Sequence, residues 1–191
     1  MQFLRFASSV VIAAGILSGS SALAAEPENT MIVELEGGEV TIALRPDLAP
    51  KHVEQIKALV RGGEYDNVAF HRVIEGFMAQ TGDVEFGDLE DGYNSQRVGT
   101  GGSSRGNIPA EFSRESFQRG TVGMARAQHP DSANSQFFIM FAPGAFLDGQ
   151  YTVVGNVESG MEFVDTIKRG SGQSGMVTDP DRMISVRIAA D

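Results

Sequence analysis

Cysteine is absent from the 191 residues. That excludes disulfides, thiolate nucleophiles, zinc–thiolate sites and a lipid anchored on an amino-terminal cysteine, and leaves stability to packing. Histidine is scarce: His52, His71 and His129 are the only three, and none lies at the i, i+4 spacing of a helical metal site. Positive charge is also short, with 15 Lys and Arg against 25 Asp and Glu and a net charge of −10. Such a surface repels phosphate backbones and anionic lipid, so no nucleic-acid partner is expected. The apolar run near the amino terminus, Phe6 to Leu17, has 12 residues, well short of the roughly 20 that span a bilayer.

What that run does carry is an export signal. Arg5 is the only charge before Glu26, and small residues after the run end in Ala22-Leu23-Ala24. A positive start, an apolar core and an A-x-A site predict cleavage before Ala25. Residues 1–24 are then a signal peptide and 25–191 the mature domain, exported to the periplasm or secreted and not held in the membrane. Removing 24 of the 191 residues leaves 167, enough for one domain with a sizeable core. Loss of Arg5 takes the charge from −10 to −11.

Alternation marks the first strands. Met31, Val33 and Leu35 share one face, Val40, Ile42 and Leu44 another, and Gly37-Gly38 between them predicts a tight hairpin. Pro46 to Arg61 reads as a helix, with Val53, Ile56, Leu59 and Val60 as its apolar stripe and Gly62-Gly63 as its stop. A second helix is predicted over Met161 to Arg169. Six short apolar runs remain: 69–74, 77–81, 121–125, 136–141, 152–157 and 184–189. About eight strands and two helices predict an all-β antiparallel barrel with helices over its ends. The acidic stretch 84–98, the small-residue stretch 99–106 and the segment 170–181 read as loops.

Two stretches carry the chemistry. Phe70 to Asp83 reads F-H-R-V-I-E-G-F-M-A-Q-T-G-D, and Ser135 to Ile139 reads S-Q-F-F-I. Each sets strong polar groups (Arg72 and Gln80; Gln136) among large apolar ones. A lone guanidinium beside aromatic rings suits a mostly apolar ligand with one polar atom, which describes a proline-containing peptide bond better than a sugar or phosphate. His71 and Arg72 must face opposite ways on a strand. A bulge at Glu75-Gly76 would bring Arg72, Phe77 and Gln80 together. Phe137 and Phe138 also point apart, so one at most lines a pocket. Ala125 and Ala127 are small enough for a ligand backbone to approach a strand edge.

Other chemistries fit worse. Gly102-Ser103-Ser104-Arg105-Gly106 matches G-x-S-x-G, but a nucleophile elbow needs a preceding apolar strand and a following helix, and Pro109 breaks any helix. The acidic stretch 83–91 lacks EF-hand spacing. The glycine-rich loop lacks the lysine of a phosphate loop. No metal and no cofactor is called for.

In this order, the two stretches together with I-P-A-E-F (108–112), R-G-T-V-G-M-A-R-A (119–127) and F-L-D-G (146–149) resemble the cyclophilin family of peptidyl-prolyl cis-trans isomerases, in particular its exported bacterial members. The resemblance runs from about Thr30 to Ile188. It implies a closed eight-stranded antiparallel barrel capped by two helices, and an enzyme that isomerises X-Pro bonds in folding polypeptides, working as a monomer without cofactor. A binding or chaperone module that keeps the pocket without depending on catalysis is the alternative. Position by position, the resemblance makes Arg72 the catalytic arginine, with Phe77 and Gln80 beside it. Met78, Phe138 and Leu147 join Phe77 as proline-pocket walls. Ala125, Arg126, Ala127 and Gln136 lie along the groove with Gly99 beside it, and Phe146 and Tyr151 complete the rim.

Four residues depart from the family pattern. Glu75 replaces a proline on the outside of a turn, with little effect expected. Arg126 replaces an asparagine, which bears on the residue beside proline. Phe146 replaces the tryptophan of cyclosporin-sensitive members, implying weak drug binding. Tyr151 replaces a rim histidine. The 84–98 stretch is also longer than in compact members, and its acidic side chains imply steering of basic substrates.

Overall fold

The hairpin sets the frame. In the computed structural model, which describes residues 26–191, β1 (Thr30–Leu35) and β2 (Gly38–Leu44) pair antiparallel with Met31 opposite Ile42 and Val33 opposite Val40. The predicted signal peptide lies outside the described residues. The two-residue loop is Glu36-Gly37, one position earlier than the glycine pair suggests, because Gly38 already pairs with Leu35. Gly38 has φ +147°, and a Cβ there would sit 2.6 Å from the Phe163 ring. Glycine is required by both backbone and packing.

The first helix, α1, spans Pro50–Arg61 and starts four residues later than the sequence suggests. Proline disfavours helical geometry in the residue before it, so Ala49 (φ −141°) is the N-cap and Pro50 the first helical residue. Residues 46–49 turn instead, with the amides of Leu48 and Ala49 donating to the Arg45 carbonyl. The free amides of Lys51 and His52 are taken by the Glu111 carboxylate at 3.2 and 3.1 Å, a tertiary cap on the helix start.

The remaining strands are β3 (Arg72–Ile74), β4 (Met78–Thr81), β5 (Thr121–Met124), β6 (Phe137–Met140), β7 (Val153–Ser159) and β8 (Ser185–Ile188), with α2 (Met161–Val164) between the last two. Each strand falls within its predicted run apart from the last two residues of β7. The second helix is one turn rather than two: past Asp165 the bonds tighten to i→i−3, and the Lys168 amide leaves to the Asp181 carboxylate.

All ladders are antiparallel, in the order β3-β4-β6-β5-β7-β2-β1-β8. The sheet curls strongly, and its edges β3 and β8 are not laddered to each other. Instead the stretches leading into them meet through single backbone bonds: Phe70 N to Asp181 O, Val177 N to His71 O, Val73 N to Gly175 O and Met183 N to Val68 O. That seam replaces a regular ladder in the expected barrel.

Alternation across β4 and β6 divides the apolar residues in two. Ala79, Phe137 and Ile139 join the main core with Met31, Ile42, Ile56 and Leu59. Met78, Phe138 and Met140 form a second cluster with Phe117, Leu147 and Val153. The site stands on this second face. No helix among the described residues is long and apolar enough to cross a membrane.

Candidate active site

A turn, rather than a bulge, brings Arg72 to Gln80. Gly76 adopts φ +68°, the Phe77 amide closes on the Ile74 carbonyl at 3.0 Å, and β3 pairs with β4 so that Arg72 is directly opposite Gln80. Register continues the row through Phe138 on β6 to Gly123 on β5. A Cβ on Gly123 would lie 2.6 Å from both the Phe117 and Phe138 rings, so its absence lets Phe138 lie flat in the row.

Arg72 is half-buried and anchored at two nitrogens. Nε donates to the Ser174 carbonyl at 2.9 Å and Nη1 to Gln80 Oε1 at 3.2 Å, while Nη2 bonds to none of the described residues. Burial pulls its pKa below the ordinary value, yet a guanidinium remains charged at any physiological pH. Gln80 then donates Nε2 to Gln136 Oε1 at 2.9 Å, and Gln136 Nε2 donates to the Gly101 carbonyl at 2.8 Å. Each amide is oriented by the next. The chain ends on the fully buried Asp83, whose carboxylate accepts the amides of Gly99 (2.6 Å), Gly101 (3.0 Å), Phe86 (3.0 Å) and Glu85 (3.2 Å).

Two cavities flank this row. One, of about 390 Å³, is lined by Arg72, Phe77, Met78, Gln80, Phe138 and Leu147, with Ala125, Arg126, Phe146, Gln150 and Tyr151 at its margins. The other, of about 340 Å³, shares Gln80, Ala125 and Arg126 and adds Gly99, Thr100, Gly101, Ala127, Ser132, Asn134 and Gln136. All thirteen residues singled out from the sequence therefore line one cavity or the other. Phe138 stacks on Phe117 at 5.8 Å and meets Tyr151 edge-on at 5.9 Å, while Phe137 turns inward against Tyr65. Phe146 is 65% exposed and leans on Phe77 at 5.5 Å. No group of residues suited to holding a metal ion occurs among the described residues.

Sequence reasoning missed Gln150, Thr100, Gly101, Ser132, Asn134, Asp83 and Ser174. Asn134 and Ser132 lie just ahead of the S-Q-F-F-I stretch, and Gln150 just after F-L-D-G, so proximity to the motifs was a usable signal. Ser174 had none, since it reaches Arg72 only across the seam. Ser104 of the G-x-S-x-G match sits in an exposed turn with neither strand before nor helix after it. Glu75 is not idle: it pairs with Arg169, whose guanidinium lies 4.3 Å over the Phe141 ring. No residue of the acidic stretch 84–98 lines either cavity. Within it Asp88 accepts the amides of Glu90 and Asp91, and Glu90 pairs with Arg182 at 2.9 Å.

The model for the cyclophilin type peptidyl-prolyl cis-trans isomerase/CLD family matches residues 30–188. A probable peptidyl-prolyl cis-trans isomerase of Brucella suis is 60% identical, over all of this chain and 99% of its own length. Peptidyl-prolyl cis-trans isomerase A of Dickeya dadantii is 34% identical, over 86% of this chain and 84% of its own. Among solved structures, a cyclophilin from Hirschia baltica superposes with a TM-score of 0.73 at 26% identity, covering 87% of this chain and 76% of that one. A Cryptosporidium parvum cyclophilin-type isomerase, crystallised in the presence of the dipeptide Ala-Pro, gives 0.72 at 27% identity over 83% and 98%.

Proposed function

This chain belongs to the cyclophilin-type peptidyl-prolyl cis-trans isomerases, and from that premise we propose that Arg72 is its catalytic group, acting in the groove formed by the two cavities. Its substrates are proline-containing peptides. Rotation of a peptide bond is opposed by about 18–20 kcal/mol because nitrogen shares its lone pair with the carbonyl. Prolyl bonds populate both isomers yet exchange over tens to hundreds of seconds, slowly enough to limit folding. In the twisted transition state the lone pair is localised on nitrogen. A donor fixed there stabilises the twisted form above either planar form, which is the condition for catalysis.

The observation that carries this reading is the guanidinium itself: two nitrogens anchored, Nη2 unbonded among the described residues, at the edge of a cavity walled by Phe77, Met78, Phe138 and Leu147. Phe77, Met78, Phe138 and Leu147 hold the proline ring while the other side of the bond turns. Gln80 fixes Arg72, and Ala125, Ala127, Gln136 and Gly99 line the path of the peptide. Phe146 and Tyr151 close the rim. No nucleophile or general base is required.

The charged start, apolar core and A-x-A site of residues 1–24 support export to the periplasm, where the domain of residues 25–191 would speed folding of other proteins. For the mechanism, exchange NMR on a proline tetrapeptide is the test. Arg72→Ala, folded by circular dichroism, loses most turnover, by about 10²–10³-fold for a lost transition-state donor. Retention of the full rate removes Arg72 from the mechanism.

A further inference from the structure

The two cavities are the cationic pole of an acidic protein. The chain has 25 acidic residues, yet no Asp or Glu lines either cavity, and the charged lining residues are Arg72 and Arg126. Among the described residues most other lysines and arginines are ion-paired; these two are not.

Arg126 is held in place entirely by neutral groups. Nε and Nη2 donate to the Gln150 carbonyl at 3.3 and 3.0 Å, and Nη1 donates to the carbonyls of Ala127 (2.9 Å) and Gln128 (3.2 Å). The guanidinium lies 4.4 Å from the centre of the Tyr151 ring, which in turn packs edge-on against Phe138. Its position is thus fixed before any ligand arrives, while its charge stays uncompensated and one Nη2 hydrogen remains to offer. Because Arg126 borders both cavities, a peptide whose proline ring rests on Phe138 passes it on leaving for the second cavity.

We propose that Arg126 is a specificity-determining residue that favours peptides with an aspartate or glutamate side chain directly beside the proline. This rests on the isomerase reading of the groove. A carboxylate there gains a charge-assisted bond from a cation already positioned, whereas a lysine meets like charge. It inverts the preference that the acidic 84–98 stretch suggests from sequence.

The test uses two series of blocked tetrapeptides, Ala-Xaa-Pro-Ala and Ala-Ala-Pro-Xaa, with Xaa Glu, Gln or Lys, followed by exchange NMR. In at least one series kcat/KM runs Glu > Gln > Lys at low salt, with Glu exceeding Gln about three- to fivefold, as for one partly exposed charge contact. The order flattens near about 1 M NaCl, where screening acts over roughly 3 Å. It flattens at all salt concentrations in Arg126→Gln and survives in Arg126→Lys. Equal rates in both series at low salt overturn the proposal, as does a preference that persists in Arg126→Gln. Turnover of the Gln peptides separately tests the isomerase reading. Were they not turned over, dissociation constants from chemical-shift titration read the same order, so the two ideas fail independently.

Discussion

Gln80 meets Arg72 directly across the β3–β4 hairpin, its Oε1 3.2 Å from Nη1, while its own Nε2 is committed to Gln136. The amide can therefore present only its oxygen to the guanidinium. Replacing Gln80 by Ala frees Arg72 to leave the row without disturbing the core, because Gln80 belongs to neither apolar cluster. We expect kcat/KM to fall roughly tenfold, about 1.4 kcal/mol, with an unchanged melting curve. A loss of activity matched by a loss of stability would show instead that the residue is merely structural.

Charge alone does not explain Arg72. Lysine keeps the cation but lacks the planar fork that holds Ser174 O and Gln80 Oε1 while leaving a third nitrogen free. Arg72→Lys should therefore be nearly as impaired as Arg72→Ala in the same NMR assay. Activity close to wild type would mean that a point charge suffices.

Gly123 sits beneath the proposed prolyl pocket, opposite Phe138. Adding one methyl places a carbon 2.6 Å from two aromatic rings, and overpacking of this kind costs about 1–3 kcal/mol. Gly123→Ala should lower the unfolding free energy by that amount, shifting the denaturant midpoint down, and raise KM as Phe138 is pushed into the cavity. An unchanged midpoint would show that the rings yield freely.

Glu111 links stability to pH. Burial raises its pKa, but bonds from the His52 ring (2.7 Å) and the first amides of α1 outweigh it, and the net shift is downward from 4.5. With the folded value depressed, its contribution is complete above the unfolded pKa and fades as pH drops through the folded one. Glu111→Gln should cost about 1 kcal/mol at pH 7 and converge with wild type in strong acid. Urea titrations at pH 7 and in the acid range check this, and a constant difference would exclude the linkage.

The proposed export makes a simple mass prediction. The protein recovered from the periplasm should begin at Ala25, as read by intact-mass or terminal-peptide spectrometry. A species retaining residues 1–24 in that fraction would refute the cleavage site.

Sequence periodicity exposed the strands because the fold uses them conventionally: Met31, Val33, Ile42 and Leu44 alternate and are all buried. Helix ends were less legible. Pro50 could have opened a helix or sat inside its first turn, and the extended Ala49 before it together with the tertiary cap from Glu111 sets the start. The site was readable where its residues are near in sequence, as with Arg72, Phe77 and Gln80, although the turn that pairs them resembles a bulge on paper. Asp83 and Ser174 were invisible for a different reason. Their roles lie in which backbone groups they meet after folding, and neither residue type announces that.

The carbonyl that steadies Arg72 comes from Ser174, 102 positions further along the chain, and arrives only when the two ends of the curled sheet are joined. A nascent or truncated copy lacking its last fifth keeps Gln80 against Nη1 but has nothing to hold Nε. On the proposed mechanism, full turnover then also reports that the carboxyl-terminal segment has docked.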